Sequence, residues 1–255
     1  MDEGIIVHMT EEMQKLIGLY QTDTPARRGK LYGLALLRTI DNPRKVSRAL
    51  KIGTDKRSYT QAIRPLYQEY AFVFTDETHH FLRLDIRTFL RQQLRAQRKK
   101  QEVAKIIARI YENQQQQLYE LEEEKEYQDL RMRLRDEEWI EACLDLLEAQ
   151  FWADPCAAVS HAISFLLAAS LYHPHLVYEI ADIGSFFVDE MEVPQRSWWS
   201  YACQSFGLFA ASLPSYEKIK ALYALRELIV REKLGVSTLF APYSQQLLAA
   251  PAPST

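Results

Sequence analysis

Apolar positions recur every three or four residues along most of this chain, and one stretch breaks that rhythm. Thr10 with Glu11 and Glu12 predicts a first helix, with Leu16, Ile17 and Tyr20 on one side. After Asp23-Thr24-Pro25, the residues Leu31, Leu34, Ala35, Leu37 and Ile40 form a second stripe. Asp41-Asn42-Pro43 marks the next boundary. Val46, Ala49, Leu50 and Ile52 then predict a short helix ended by Gly53-Thr54-Asp55. Another begins near Asp55 and carries Lys56, Arg57, Tyr59, Gln61, Ile63 and Leu66. Pro65 is expected to interrupt it and to bias Arg64 away from helical angles. Phe72-Val73-Phe74, the polar run Thr75 to His80, and Phe81-Leu82-Arg83-Leu84 read as a β-hairpin with His79-His80 in its turn. Helix resumes at Asp85, with Ile86, Phe89, Leu90 and Leu94 on one side.

Two short helices, a tight turn, a hairpin and a helix are the order of a winged helix. From Arg95 to about Arg135 the pattern stays helical through Ile106, Ile107, Ile110, Tyr111, Leu118, Leu121, Tyr127, Leu130 and Leu134. Gln114 to Gln117 and Glu120 to Glu126 between them read as a solvated face. Helix-start signals then fall at Asp136, Pro155, Pro174, Pro194 and Pro214, and Gly235 closes the last interval, with steps of 19, 19, 20, 20 and 21 residues. Such spacing predicts antiparallel helices of similar length, two per unit of about 40 residues, the size of known helical repeats. No side-chain signature repeats with that period. The predicted fold is mainly α: a winged-helix domain with N-terminal helices over 1–95, an antiparallel α-helical array over 96–241 and a flexible tail over 242–255.

Charge divides the 255 residues along the same lines. Residues 1–100 hold 19 Lys and Arg against 11 Asp and Glu, a balance of +8, whereas the remainder holds 12 against 23, a balance of −11. Cys143, Cys156 and Cys203 are scattered in apolar helical surroundings without CxxC spacing, which predicts reduced, buried thiols in a cytoplasmic protein. The acidic amino terminus carries no secretory signal. The most apolar window, Ala157 to Leu171, is shorter than the ~20 residues a bilayer needs and reads as a buried core helix.

No catalytic or cofactor signature stands in the chain. Gly53-Thr54-Asp55-Lys56-Arg57-Ser58 lacks the second glycine and the glycine-lysine pair of a phosphate loop, and no GxSxG, HExxH or dinucleotide fingerprint occurs. His173-Pro174-His175 reads as a helix boundary and not as a metal site. Trp139, Trp152, Trp198 and Trp199 read as core or interface anchors. The adjacent Trp198 and Trp199 cannot both face inward on one helix, which makes the pair a candidate protein interface. Lys56, Arg57, Gln61 and Arg64, with Tyr59 and Thr60, lie on the helix that would enter a major groove. Asp76 and Glu77 at the wing tip oppose phosphate contact, which places protein packing ahead of DNA binding.

Tyr70-Ala71-Phe72-Val73-Phe74, the hairpin, and Leu84-Asp85-Ile86-Arg87-Thr88-Phe89-Leu90 resemble the winged helix that follows the nucleotide-binding domain in STAND ATPases, the NACHT and NB-ARC group. Asp136-Glu137-Glu138-Trp139, Leu144-Asp145-Leu146-Leu147 and Phe151-Trp152 are similar to the helical arm attached to it in bacterial members, so the resemblance runs from about Pro25 to Leu171. No phosphate loop precedes this stretch, so the ATPase module is expected to be missing, the chain being either the carboxy-terminal piece of a split or truncated protein or a remnant kept as a scaffold. By the resemblance, Asp85 matches the aspartate of a His-Asp pair and Leu84 stands in the position of the nucleotide-contacting histidine. The expected function is a non-enzymatic, cytoplasmic regulatory module, without cofactor or membrane, that packs on a nucleotide-binding ATPase domain of a protein partner. The alternative is a free-standing winged-helix transcription regulator that binds DNA and carries a helical dimerisation or effector region.

Overall fold

Pro25, with its backbone angle preset for a first turn, opens helix α1 (Pro25–Leu36) in the computed structural model of the protein. The structure describes residues 18, 24–40, 43–52, 56–69, 73–75, 80–125, 127, 129–210, 223, 227, 230 and 231. Apart from Gly18, the helix expected after Thr10 lies outside the described residues, as do the turn at 76–79, the start at Pro214, the closing Gly235 and the tail from 242. Among the described residues the chain is mainly helical. It divides into two compact units, 1–113 and 114–255, at a point that falls inside a helix; the boundary drawn from the sequence stood at 95/96.

In the first unit, α1 buries Leu31, Leu34, Ala35 and Leu36 and packs on helix α2 (Pro43–Leu50), whose Val46 and Ala49 are buried. The approach is close at Gly33, where a Cβ would stand 2.1 Å from Leu50 Cδ2. Helix α2 ends at Leu50, before the expected Gly53. Lys51 takes φ 55°, and the Ile52 N–H donates back to the Ser47 carbonyl at 2.9 Å, a left-handed C-terminal cap built on a residue other than glycine.

Helix α3 (Lys56–Glu69) buries Ile63 and Leu66 and runs through Pro65, contrary to the expected interruption. Proline removes the N–H that would have met the Gln61 carbonyl. One residue on, the Lys30 ammonium donates to the Ala62 carbonyl at 3.1 Å and ties this turn to α1. Two three-residue strands follow, β1 (Val73–Thr75) and β2 (His80–Leu82), paired antiparallel with Val73 opposite Leu82 and Thr75 opposite His80. His80, expected in the turn, stands in the second strand.

Helix α4 (Leu84–Gln97) buries Ile86, Leu90 and Leu94, one residue per turn, and packs on α1. The Arg87 guanidinium donates to the carbonyls of Leu37 and of Arg38, the latter at 2.7 Å. A cation at the C-terminal end of α1 meets both the open carbonyls and the negative end of the helix dipole. The long helical stretch read from Arg95 onward is broken at 98–100 and again before 130, between α4, α5 (Gln101–Lys125) and α6 (Leu130–Arg133).

The second unit is built around one helix. Asp136 caps α7 (Glu137–Ala153), accepting from the N–H groups of Glu138 and Trp139. Asp154 alone links α7 to α8 (Pro155–Tyr172) and caps α8 through the N–H groups of Cys156 and Ala157. Helix α8 is apolar nearly all round, and α7, α9 (Leu176–Ser185) and α10 (Val193–Ala210) all pack against it. The apolar window read as a core helix is this central element, and among the described residues no helix is long and apolar enough to cross a membrane.

Starts at Glu137, Pro155 and Val193 fall within a residue of their signals. The expected similar length holds for α7, α8 and α10, with 17, 18 and 18 residues, but not for α9, which has 10. His173-Pro174-His175 forms a turn that delays α9 to Leu176, and a 3-10 turn at Val188–Glu190 follows it closely. Between these lies an aromatic cluster: Phe187 stacks on Phe151 at 5.5 Å between centroids and meets Trp152 edge-on at 5.0 Å.

Candidate binding groove

The N-terminal turns of α1 and α5 bring Pro25, Ala26, Gly29 and Lys30 opposite Gln101, Glu102, Lys105, Ile106 and Arg109. These residues repeat at helical spacing on each element, so one face of α1 looks across at one face of α5. The two helices come near at Gly29, where a Cβ would make only ordinary contact with Ile106 Cδ1 at 4.0 Å. The resulting groove of about 460 Å³ has Leu50 and Ile106 among its apolar lining and is ringed by three cations and one carboxylate. Lys105 and Glu102 are exposed, while Lys30 and Arg109 are half-buried. Burial and, after it, the charge of Glu102 push the neighbouring Tyr32 phenol up from its ordinary pKa. An apolar floor with cations on the rim suits an anionic ligand that also has apolar side groups.

Of the residues singled out for nucleic-acid contact, Arg57, Gln61 and Arg64 are all exposed, and their spacing places them on one face of α3. Lys56 is the first residue of that helix. None of the four lines the groove. Leu84 is 75% exposed at the start of α4. Asp85 beside it is engaged locally, accepting from the Ile86 N–H and from Arg83 Nε, both at 2.8 Å, and the Arg83 hydrogen bond holds its carboxyl below the usual range.

The tryptophan pair divides. Trp199 is 1% exposed, wedged over Gly184, and meets Phe151 at 6.0 Å between ring centroids, so it belongs to the core and cannot serve as an interface. Trp198 is half-exposed. Successive residues on a helix point about 100° apart, which makes this division the expected one. Trp139 is also buried and donates its indole N–H to Glu122 at 3.0 Å, an acid from the expected solvated run that Arg133 also pairs at 3.5 Å.

The thiols are less uniform than expected: Cys143 is buried, with burial pushing its pKa well up, whereas Cys156 and Cys203 are half-exposed. Among the described residues no group of three or more His, Cys, Asp or Glu side chains is placed to hold a metal ion. A cluster around Asp136 is structural. Asp136 Oδ2 lies 2.7 Å from both Lys125 Nζ and Tyr127 Oη, and Lys125 also pairs with Glu138 at 2.8 Å. Burial alone would raise the Asp136 carboxyl, but the hydrogen bonds from Lys125, Tyr127 and two backbone N–H groups together hold it at about 2.

Sequence reasoning did not find Lys30, Lys105 and Arg109. Lys105 and Arg109 share a face with Gln101 at four-residue steps, a signal present in the sequence, but the meeting with Lys30 exists only after α1 and α5 pack. Comparison with protein-family models, with curated proteins and with solved structures gave no match.

Proposed function

We propose that the protein is a non-enzymatic, cytoplasmic interaction module. In this reading its first unit is a winged helix similar to the one that follows the nucleotide-binding domain in STAND ATPases, and its second unit is a helical arm. The observation that carries the reading is the succession in one unit of α2, α3, the antiparallel pair β1 and β2, and α4 with its buried Ile86, Leu90 and Leu94. The partner is a nucleotide-binding domain of another protein. Leu84 gives that partner an apolar contact in place of a nucleotide-sensing histidine, and Asp85 is occupied by Arg83. The reading requires that the purified chain not turn over ATP; hydrolysis that rises in proportion to chain concentration and survives repurification removes it.

A second reading, a DNA-binding regulator, is favoured by one observation: the exposed polar row Arg57, Gln61 and Arg64 on α3. A gel shift separates the two. Salt-sensitive, sequence-selective retardation that vanishes in the Arg57→Ala plus Arg64→Ala variant selects the regulator.

A further inference from the structure

We infer that the groove between α1 and α5 is the docking site for an acidic segment of a protein partner that carries apolar side chains at alternating positions. The inference rests on the interaction-module reading and names the chemistry of its partner. Three features argue for this occupant. First, among the described lining residues Lys30, Lys105 and Arg109 face one cavity against the single carboxylate of Glu102, which makes the charge of that lining positive. Second, the lining is mixed: Pro25, Leu50 and Ile106 offer apolar surface between the cations, which a bare inorganic anion would leave unused. Third, the α5 wall runs from Gln101 to Arg109, about 12 Å at the rise of an α-helix, which spans about four residues of an extended chain. An extended peptide places alternate side chains on opposite faces, so leucines can enter the groove while glutamates stay at its mouth, within reach of the cations on the rim.

Glu102 adds an internal control. It stands at one end of the groove and repels the proposed ligand, so neutralising it strengthens binding, whereas reversing Lys105 and Arg109 weakens it.

The test uses the full chain and a fluorescein-labelled peptide of alternating glutamate and leucine, followed by fluorescence polarisation at low and high salt. The expected result is salt-sensitive binding that falls about tenfold in Lys105→Glu plus Arg109→Glu, a loss of the size that two reversed surface pairs produce. Binding should rise about twofold to threefold in Glu102→Gln. It should hold in Arg131→Glu plus Arg135→Glu, an equal change of charge placed elsewhere. Far-ultraviolet circular dichroism and the neutral pair Lys105→Gln plus Arg109→Gln guard against a folding defect.

No binding by the wild-type chain overturns the inference, as does an equal loss in both reversed pairs, which would mean attraction by net charge alone. Displacement of the peptide by stoichiometric pyrophosphate would assign the groove to a small anion and overturn the peptide reading. Concentration-dependent self-association that Lys105→Glu plus Arg109→Glu abolishes would make the occupant a second copy and overturn it too. None of these outcomes touches the interaction-module reading, which falls separately on ATP hydrolysis or sequence-selective DNA binding.

Discussion

Removing the Asp136 carboxylate tests how the second unit is tied together. This side chain caps α7 through the N–H groups of Glu138 and Trp139, and it accepts from Lys125 and Tyr127 at 2.7 Å. Asp136→Asn keeps a competent cap but loses the charge, whereas Asp136→Ala loses both. A lost cap costs about 1 kcal/mol. The Lys125 contact is partly exposed and contributes about 0.5–1 kcal/mol, and leaving the Tyr127 hydroxyl without its acceptor adds about 1 kcal/mol. The alanine variant should therefore lose about 2.5 kcal/mol, on the order of 7 °C in Tm for a protein of this size, and the asparagine variant about 1 kcal/mol.

The same carboxylate supplies a pH signature. Its pKa is held at about 2 in the fold, below the ~3.9 of an unfolded chain. Its contribution is fully present above the unfolded value and disappears as pH falls through the folded one. Urea denaturation at pH 7 and near pH 2.5 measures this: the gap between wild type and Asp136→Asn should narrow at the lower pH. An alanine variant as stable as wild type, or a gap that stays constant, would show that the network contributes nothing.

Other expectations follow from single contacts. Gly184→Ala, a change that normally favours a helix, should instead cost about 2 kcal/mol in urea denaturation, because its Cβ would lie 2.2 Å from Cζ2 of the buried Trp199. Lys51→Gly should raise the melting temperature modestly, by about 0.5–1 kcal/mol of stability, since glycine adopts φ 55° without the steric cost that lysine carries. His161 is half-buried with Nδ1 3.1 Å from Gln150 Oε1, and burial holds its pKa below 6.5. The unfolded chain therefore takes up a proton first as pH falls, and stability declines below about pH 6.5. In His161→Gln that decline, followed as the urea midpoint between pH 7 and 5, should be shallower, and an unchanged slope would exclude His161 as its source.

Helices α1, α2, α7, α8 and α10 were legible because each carries its own start signal and an apolar stripe, both of which are local. The central place of α8 was also foreshadowed, since a helix apolar on every side can only be surrounded. What the linear pattern misjudged were features set by neighbours distant in the chain. Pro65 remains helical in a turn that Lys30 also bonds, and α2 stops at a left-handed lysine after a last turn that packs on Gly33. Glu122, counted with the solvated acids, bonds the indole of Trp139. The groove belongs to the same class, because its cations come from helices about 75 residues apart and face one cavity only once Gly29 lies against Ile106. Periodicity and capping act over a few residues and so can be read in order, whereas which faces meet depends on shape and on the burial each pairing achieves, and that is decided only in three dimensions.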